Sequence, residues 1–91
     1  MSFRIDRVSG NGLTLLLLSG KLTGEHVETL RNLLSQESGA LALDLKNVSL
    51  VDREAVKLLA LAEGSGTELK NCPKYVREWI NRESAGMHEG N

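Results

Sequence analysis

The chain has 91 residues, a formal charge of −1 at pH 7 and 41% hydrophobic residues, enough for one small domain with a modest core. Its 11 Lys and Arg are dispersed and its only aromatics are Phe3, Tyr75 and Trp79, which excludes the basic, stacking-rich stripe of a nucleic-acid binder. One cysteine, Cys72, excludes an intramolecular disulfide framework and fits a reducing compartment.

The opening MSFRIDRVSGNG lacks an apolar run after its basic residues, so no signal peptide is expected. Residues 3–8 alternate Phe3, Ile5 and Val8 with charged positions, the pattern of a half-exposed strand. Gly10-Asn11-Gly12 tolerates the positive φ angles of a tight hairpin. Residues 13–18 then form the second, more buried strand, and Ser19-Gly20-Lys21-Leu22 is expected to turn the chain away from the sheet. The apolar run Leu15 to Leu18 is far too short to cross a bilayer, so the expectation is a cytoplasmic protein without direct membrane insertion.

Thr23 can cap a helix over residues 24–36, with Val27, Leu30 and Leu34 at helical spacing and Glu28, Arg31 and Asn32 towards water. Ser38-Gly39 ends it. In the next strand Leu41, Leu43 and Leu45 alternate on one face, while Ala40 and Ala42 make the other face apolar too. Two apolar faces fit a strand covered on both sides or packed under helices. Asp52 is a good N-cap for a helix over residues 53–63, and Glu54 in its first turn suits the helix dipole.

That helix stops at Gly64-Ser65-Gly66. Residues 67–71 read as a short polar edge strand with Leu69 inward. Pro73 suits the first turn of a third helix, which runs to about Arg82 with Val76, Trp79 and Ile80 on one side. Residues 84–91 hold two glycines and little apolar mass, so a domain over 1–83 and a flexible tail over 84–91 are expected. The order β-β-α-β-α-β-α predicts an α/β domain: a mixed, mainly parallel sheet with an N-terminal antiparallel hairpin and helices packed on it.

Catalytic chemistry finds little support. A nucleophile needs a base within reach, and the only histidines, His26 and His88, lie in no motif with Ser, Cys or Asp. No pair of His and Cys has metal-ligand spacing, so neither metal nor cofactor is implied. Cys72 precedes a helix start that could activate a thiol, but without a second cysteine a semi-buried packing residue is the simpler reading. Trp79 reads as core or as an exposed anchor for a partner. Between Ala55 and Ala62 only Lys57 is not apolar. A core face centred on Ala55, Leu58, Leu59 and Ala62 leaves Val56 and Leu61 at its edges. Either the domain covers more of this helix than usual, or the helix meets another chain.

Residues 40–62 resemble the strand–loop–helix core of the STAS domain, the sulfate transporter and anti-sigma factor antagonist family. Asp44-Leu45 matches the family's strand end, Val51-Asp52 its approach to the helix, and Leu58-Leu59-Ala60-Leu61 its leucine-rich helix. LTLLLLSG over 13–20, followed by Lys21-Leu22, is similar to the family's second strand and Gly-x-Leu corner. The resemblance spans roughly residues 3–82. Family members commonly carry a further strand and helix, so the resemblance implies a trimmed version.

The resemblance implies a non-enzymatic interaction module like an anti-sigma factor antagonist, acting in bacterial regulation of transcription. Its implied partner is an anti-sigma factor or a histidine-kinase-like protein, bound through Asp52, Arg53, Glu54, Ala55, Lys57 and Leu61. Where the family has Asp-Ser-Ser-Gly, this chain has Asp52-Arg53-Glu54-Ala55. Glu54 therefore stands at the family's phosphorylation position, either as a partial mimic of phosphoserine or only as a good helix-start residue. A STAS-like accessory subunit of an ABC transporter for lipid, a small-ligand or nucleotide-binding domain, and a homodimer stay open.

Overall fold

Asn11 (φ 53°) and Gly12 (φ 77°) reverse the chain in two residues, as a primed hairpin turn demands of both central positions. They join β1 (Phe3–Gly10) to β2 (Leu13–Leu22), which pair antiparallel from Phe3↔Gly20 to Gly10↔Leu13. A computed structural model describes residues 3–37 and 39–89, with side-chain environments as far as residue 85. From β2 the chain passes through α1 (Gly24–Gln36) to β3 (Ala40–Val51), then through α2 (Arg53–Gly64) to β4 (Glu68–Lys70) and α3 (Lys74–Glu89). The sheet order is β1-β2-β3-β4, with β2, β3 and β4 parallel. The predicted α/β order and mixed sheet are therefore present.

Both parallel steps advance in the same direction across the sheet. Right-handed crossovers then place α1 and α2 on the same face. The core shows this: Leu16 and Leu18 of β2, Leu43 and Leu45 of β3, Leu30 of α1, Leu59 of α2 and Ile80 of α3 form one buried cluster. The two apolar faces of β3 thus have different fates. Leu41, Leu43 and Leu45 meet the helices, whereas Ala42 lies beside Leu15, and Ala40 beside Leu13, on the opposite face. Among the described residues, none of Leu13, Leu15, Leu17 or Ala42 joins the helix-side cluster. Of the two expected settings for this strand, cover on both sides or packing under helices, the structure has the second.

Two element bounds also differ from the sequence reading. Residues 19–22 do not leave the sheet; they continue β2 alongside the far half of β3, from Ser19↔Asn47 to Leu22↔Val51. Register shifts flank Gly20, whose φ of 96° absorbs the irregularity at little steric cost. This extension buries Leu22, Val48 and Val51. At the other end, α3 runs to Glu89 rather than stopping near Arg82. No proline follows Pro73 to break the backbone ladder, and a single helical glycine, Gly86, costs only about 1 kcal/mol. Gly90 and Asn91, the end of the expected tail, lie outside the described residues.

Helix α2 packs between α1 and α3 on the sheet. Ala55, Val56, Leu58, Leu59, Ala60 and Ala62 are all buried. Its unusually apolar sequence is thus explained mostly by cover from its own domain, Val56 included. Only Arg53, Glu54, Leu61 and Gly64 stay exposed along it, with Lys57 half-buried.

Candidate docking site

Parallel strands deliver the N-termini of their following helices to one end of the sheet. Here α1 and α2 both begin at that end. Thr23 has the extended backbone of an N-cap (φ −123°, ψ 178°), yet its side chain makes no capping bond. Asp52 supplies it instead. Its Oδ2 accepts from the Gly24 N–H at 2.8 Å and its Oδ1 from the Ala55 N–H at 3.0 Å. One carboxylate therefore caps two helices and sits between two partial positive poles. The expected cap of α2 is present, and the second cap was hidden from sequence reasoning.

Glu54 opens outward from this junction. A Cβ placed on Gly24 would lie 3.7 Å from the Cβ of Glu54 and 3.6 Å from Asp52 Oδ2, so the three residues are immediate neighbours. Arg53 reaches across to α3, where its Nε lies 3.5 Å from Glu83 Oε2. Glu54, Lys57 and Leu61 follow an i, i+3, i+7 spacing and share one helical face. Ala55 leaves the predicted docking set: it is fully buried, with its N–H spent on Asp52. The first turn of the helix points that methyl into the core.

The remaining predicted residues do not form one compact patch. Asp52, Arg53, Glu54 and Lys57 gather around the start of α2. Leu61, 50% exposed, lies towards the other end, about 13 Å further along the helix axis. There it borders a cavity of about 390 Å³ between α1, α2 and the start of β3, shared with Leu34, Leu41 and Leu58 and edged by Arg31 and Glu37.

Two exposed apolar residues near the Asp52 turn were missed. Leu50 is 45% and Tyr75 49% exposed. The Tyr75 hydroxyl donates to the Ser49 carbonyl at 3.5 Å, which holds the ring over β3 three residues before Asp52. A signal was available: Leu50 falls out of step with Val48 and Val51 between polar neighbours, and Tyr75 falls outside the Val76–Ile80 spacing of α3.

The titratable groups elsewhere support structure more than chemistry. Burial pushes the Cys72 thiol up from its ordinary range, with Arg77 opposing and Glu63 adding to it. A raised thiol is a poorer nucleophile at neutral pH, which favours the packing reading of this residue. Arg77 donates to both oxygens of Glu63 at 2.9 and 2.8 Å and holds that carboxyl below its usual range. Arg7 does the same to Glu37, at 2.9 and 3.2 Å, fastening the hairpin to the end of α1. His26 stacks on Phe3 with ring centroids 4.6 Å apart, so it is a half-buried packing residue rather than a surface one. Among the described residues, no helix is long and apolar enough to cross a membrane.

No family model and no curated protein matches the chain. Solved structures do match. The anti-sigma factor antagonist SpoIIAA in its unphosphorylated form superposes with a TM-score of 0.67 at 18% identity, over 99% of this chain and 100% of that one. The Bacillus cell fate determinant SpoIIAA in the phosphorylated form gives 0.68 at 16% identity, over 94% and 86%. An anti-sigma factor antagonist STAS domain from Rhodobacter sphaeroides gives 0.57 at 16% identity, over 75% and 83%. Likeness at such identities speaks for the fold alone. The hairpin, the parallel strands and the helices packed on them thus have the fold of SpoIIAA and of that STAS domain.

Proposed function

We propose that this domain is a non-enzymatic docking module of bacterial partner switching, held in one charge state. It binds an anti-sigma factor or a histidine-kinase-like protein in the cytoplasm, through the Asp52 end of α2 and the strip that runs to Leu61. The observation that carries this reading is Glu54, exposed beside two helix N-termini whose capping Asp52 already satisfies. SpoIIAA has been solved in unphosphorylated and phosphorylated forms. Residues 52–55 here contain no hydroxyl, so a kinase finds no acceptor among them. A glutamate carries one charge and two acceptor oxygens, against a charge of about −1.5 to −2 and three oxygens on a phosphoserine, so it mimics the modified state in part. Leu50 and Tyr75 supply apolar area beside that charge, a combination suited to a protein partner.

Affinity purification from the native host tests the partner class. An anti-sigma or kinase-like protein should be recovered with the wild type and lost with Glu54→Lys. Recovery of ABC transporter subunits in its place would assign the domain to lipid transport. A second reading, binding of a small ligand or nucleotide, draws on the cavity of about 390 Å³. A thermal-shift screen with nucleotides decides it, since ligand bound to the native state alone raises Tm.

A further inference from the structure

We infer that the cavity between α1, α2 and the start of β3 is a site for an uncharged, mainly apolar small molecule. The inference rests on the second reading of the function, binding of a small ligand, and narrows it. Small residues make the space. Gly39 and Ala40 lead into β3, Ala62 stands in the last turn of α2, and Gly66 follows that helix, so about 390 Å³ is left where larger side chains would have met. A Cβ added to Gly66 would find nothing within 4 Å.

Leu34, Leu41, Leu58 and Leu61 wall this space. Leu58 and Ala62 are buried and Leu61 is half exposed, so the apolar depth lies under the helices and Leu61 stands at the mouth. The volume falls within the roughly 300–1,000 Å³ of ligand pockets. It is more than twice the about 150 Å³ of an apolar protein cavity that accepts benzene. Apolar walls with few polar groups suit a ligand held mainly by burial.

The charge class follows from what surrounds the mouth. Helices α1 and α2 both end beside it, and neither carries a basic residue in its last turn, so two partial negative poles oppose an anion. The backbone donors that could cradle a phosphate are spent. The Ser65 N–H donates to the Leu61 and Ala62 carbonyls, the Gly66 N–H to Glu63 and the Thr67 N–H to Ala62, at 3.0–3.1 Å. Arg31, at the rim, is exposed with its Nε 3.3 Å from Glu28 Oε2, where solvent screens its pull on an anion. A cation gains no partner either. Glu37, the acid in the wall, already accepts from Arg7 at 2.9 and 3.2 Å and from the Thr14 hydroxyl at 3.1 Å. An uncharged molecule meets neither obstacle, and the Ser65 and Thr67 hydroxyls in the lining can exchange a hydrogen bond with one polar group on it. The same reasoning excludes a nucleotide, whose phosphates would find no donors here.

Three probes that share one alkyl chain and differ in charge test this: octanol, octanoate and octylammonium, with GTP beside them. Each is titrated into the full chain at neutral pH and followed by amide NMR. Octanol should bind with a Kd of about 1 mM or tighter and move the signals of Leu34, Leu41, Leu61 and Thr67. Octanoate and octylammonium should each bind about tenfold more weakly, and GTP should leave those signals in place. Leu61→Asp, which sets a charge at the mouth, should weaken octanol by about tenfold, and Ala62→Leu, which fills the space, should abolish its binding. Either variant suffices should the other fail to fold. Octanol that leaves the four signals unmoved, or that binds both variants as it binds the wild type, would overturn the inference. Octanoate, octylammonium or GTP bound at these residues more tightly than octanol would overturn the uncharged class and leave the small-ligand reading standing. Binding by none of the four would remove that reading as well.

Discussion

The Asp52 carboxylate accepts from Gly24 and from Ala55 through different oxygens, so substitutions should divide its two duties. Asparagine keeps one acceptor oxygen and can serve only one helix, while alanine serves neither. Urea unfolding should show Asp52→Ala less stable by about 1–3 kcal/mol and Asp52→Asn by roughly half of that. The cap on α2 was legible because an acidic residue stood directly before an apolar helical repeat. The cap on α1 was not, since Gly24 and Asp52 are brought together only by the parallel arrangement of β2 and β3. Glu63 gives a test against pH. Its pairing with Arg77 lowers the folded-state pKa, so its contribution is present above the ordinary glutamate range and is lost as pH falls through the lowered value. Both side chains are about one-third exposed, at 38% and 33%, so solvent screening keeps the contribution small. Glu63→Gln should cost about 0.5–1 kcal/mol at pH 7 in urea melts and converge with the wild type in acid.

Helix α2 shows how a single element can be legible in type and ambiguous in its surroundings. Its start and its apolar character could be read directly, but a helix apolar nearly all round does not say which neighbours cover it. The structure assigns Val56 and Ala55 to the core and leaves Leu61 half exposed. Circular dichroism should therefore separate two substitutions. Ala55→Asp buries an unpaired charge and should lose about 3 kcal/mol or more, enough to unfold a large fraction of a small domain. Leu61→Asp should keep a native spectrum and a near-native Tm while reducing recovery of the partner. Unfolding by Leu61→Asp would mean that this leucine belongs to the core. The strands carry the same lesson. Leucines occupy both alternating sets of β2, so local pattern could not decide which set meets helices; the handedness of two crossovers decided it. The bulge at Gly20 escaped the sequence reading for a related reason, because a Ser-Gly-Lys stretch fits a corner as well as an irregular strand pair.

At the scale of the whole molecule, order of elements and hydrophobic period were enough to predict the α/β sheet and its hairpin, and likeness to SpoIIAA extends over nearly the full chain. The candidate site was legible only in part. Glu54 and its neighbours could be placed at a helix start, and Leu50 stands two residues before Asp52 in the sequence, whereas Tyr75 becomes a neighbour of that start only in the folded chain. The proposed function depends on one chemical feature, the exposed Glu54 at the start of α2, whose negative charge is built in rather than added. Phosphorylation measured by mass spectrometry tests that feature most directly. Wild type and Glu54→Ser are each incubated with ATP and the host's anti-sigma kinase. The wild type should stay unmodified throughout residues 49–55, and Glu54→Ser should gain one phosphate at position 54. Phosphate on the wild-type loop, at Ser49 above all, would contradict the account.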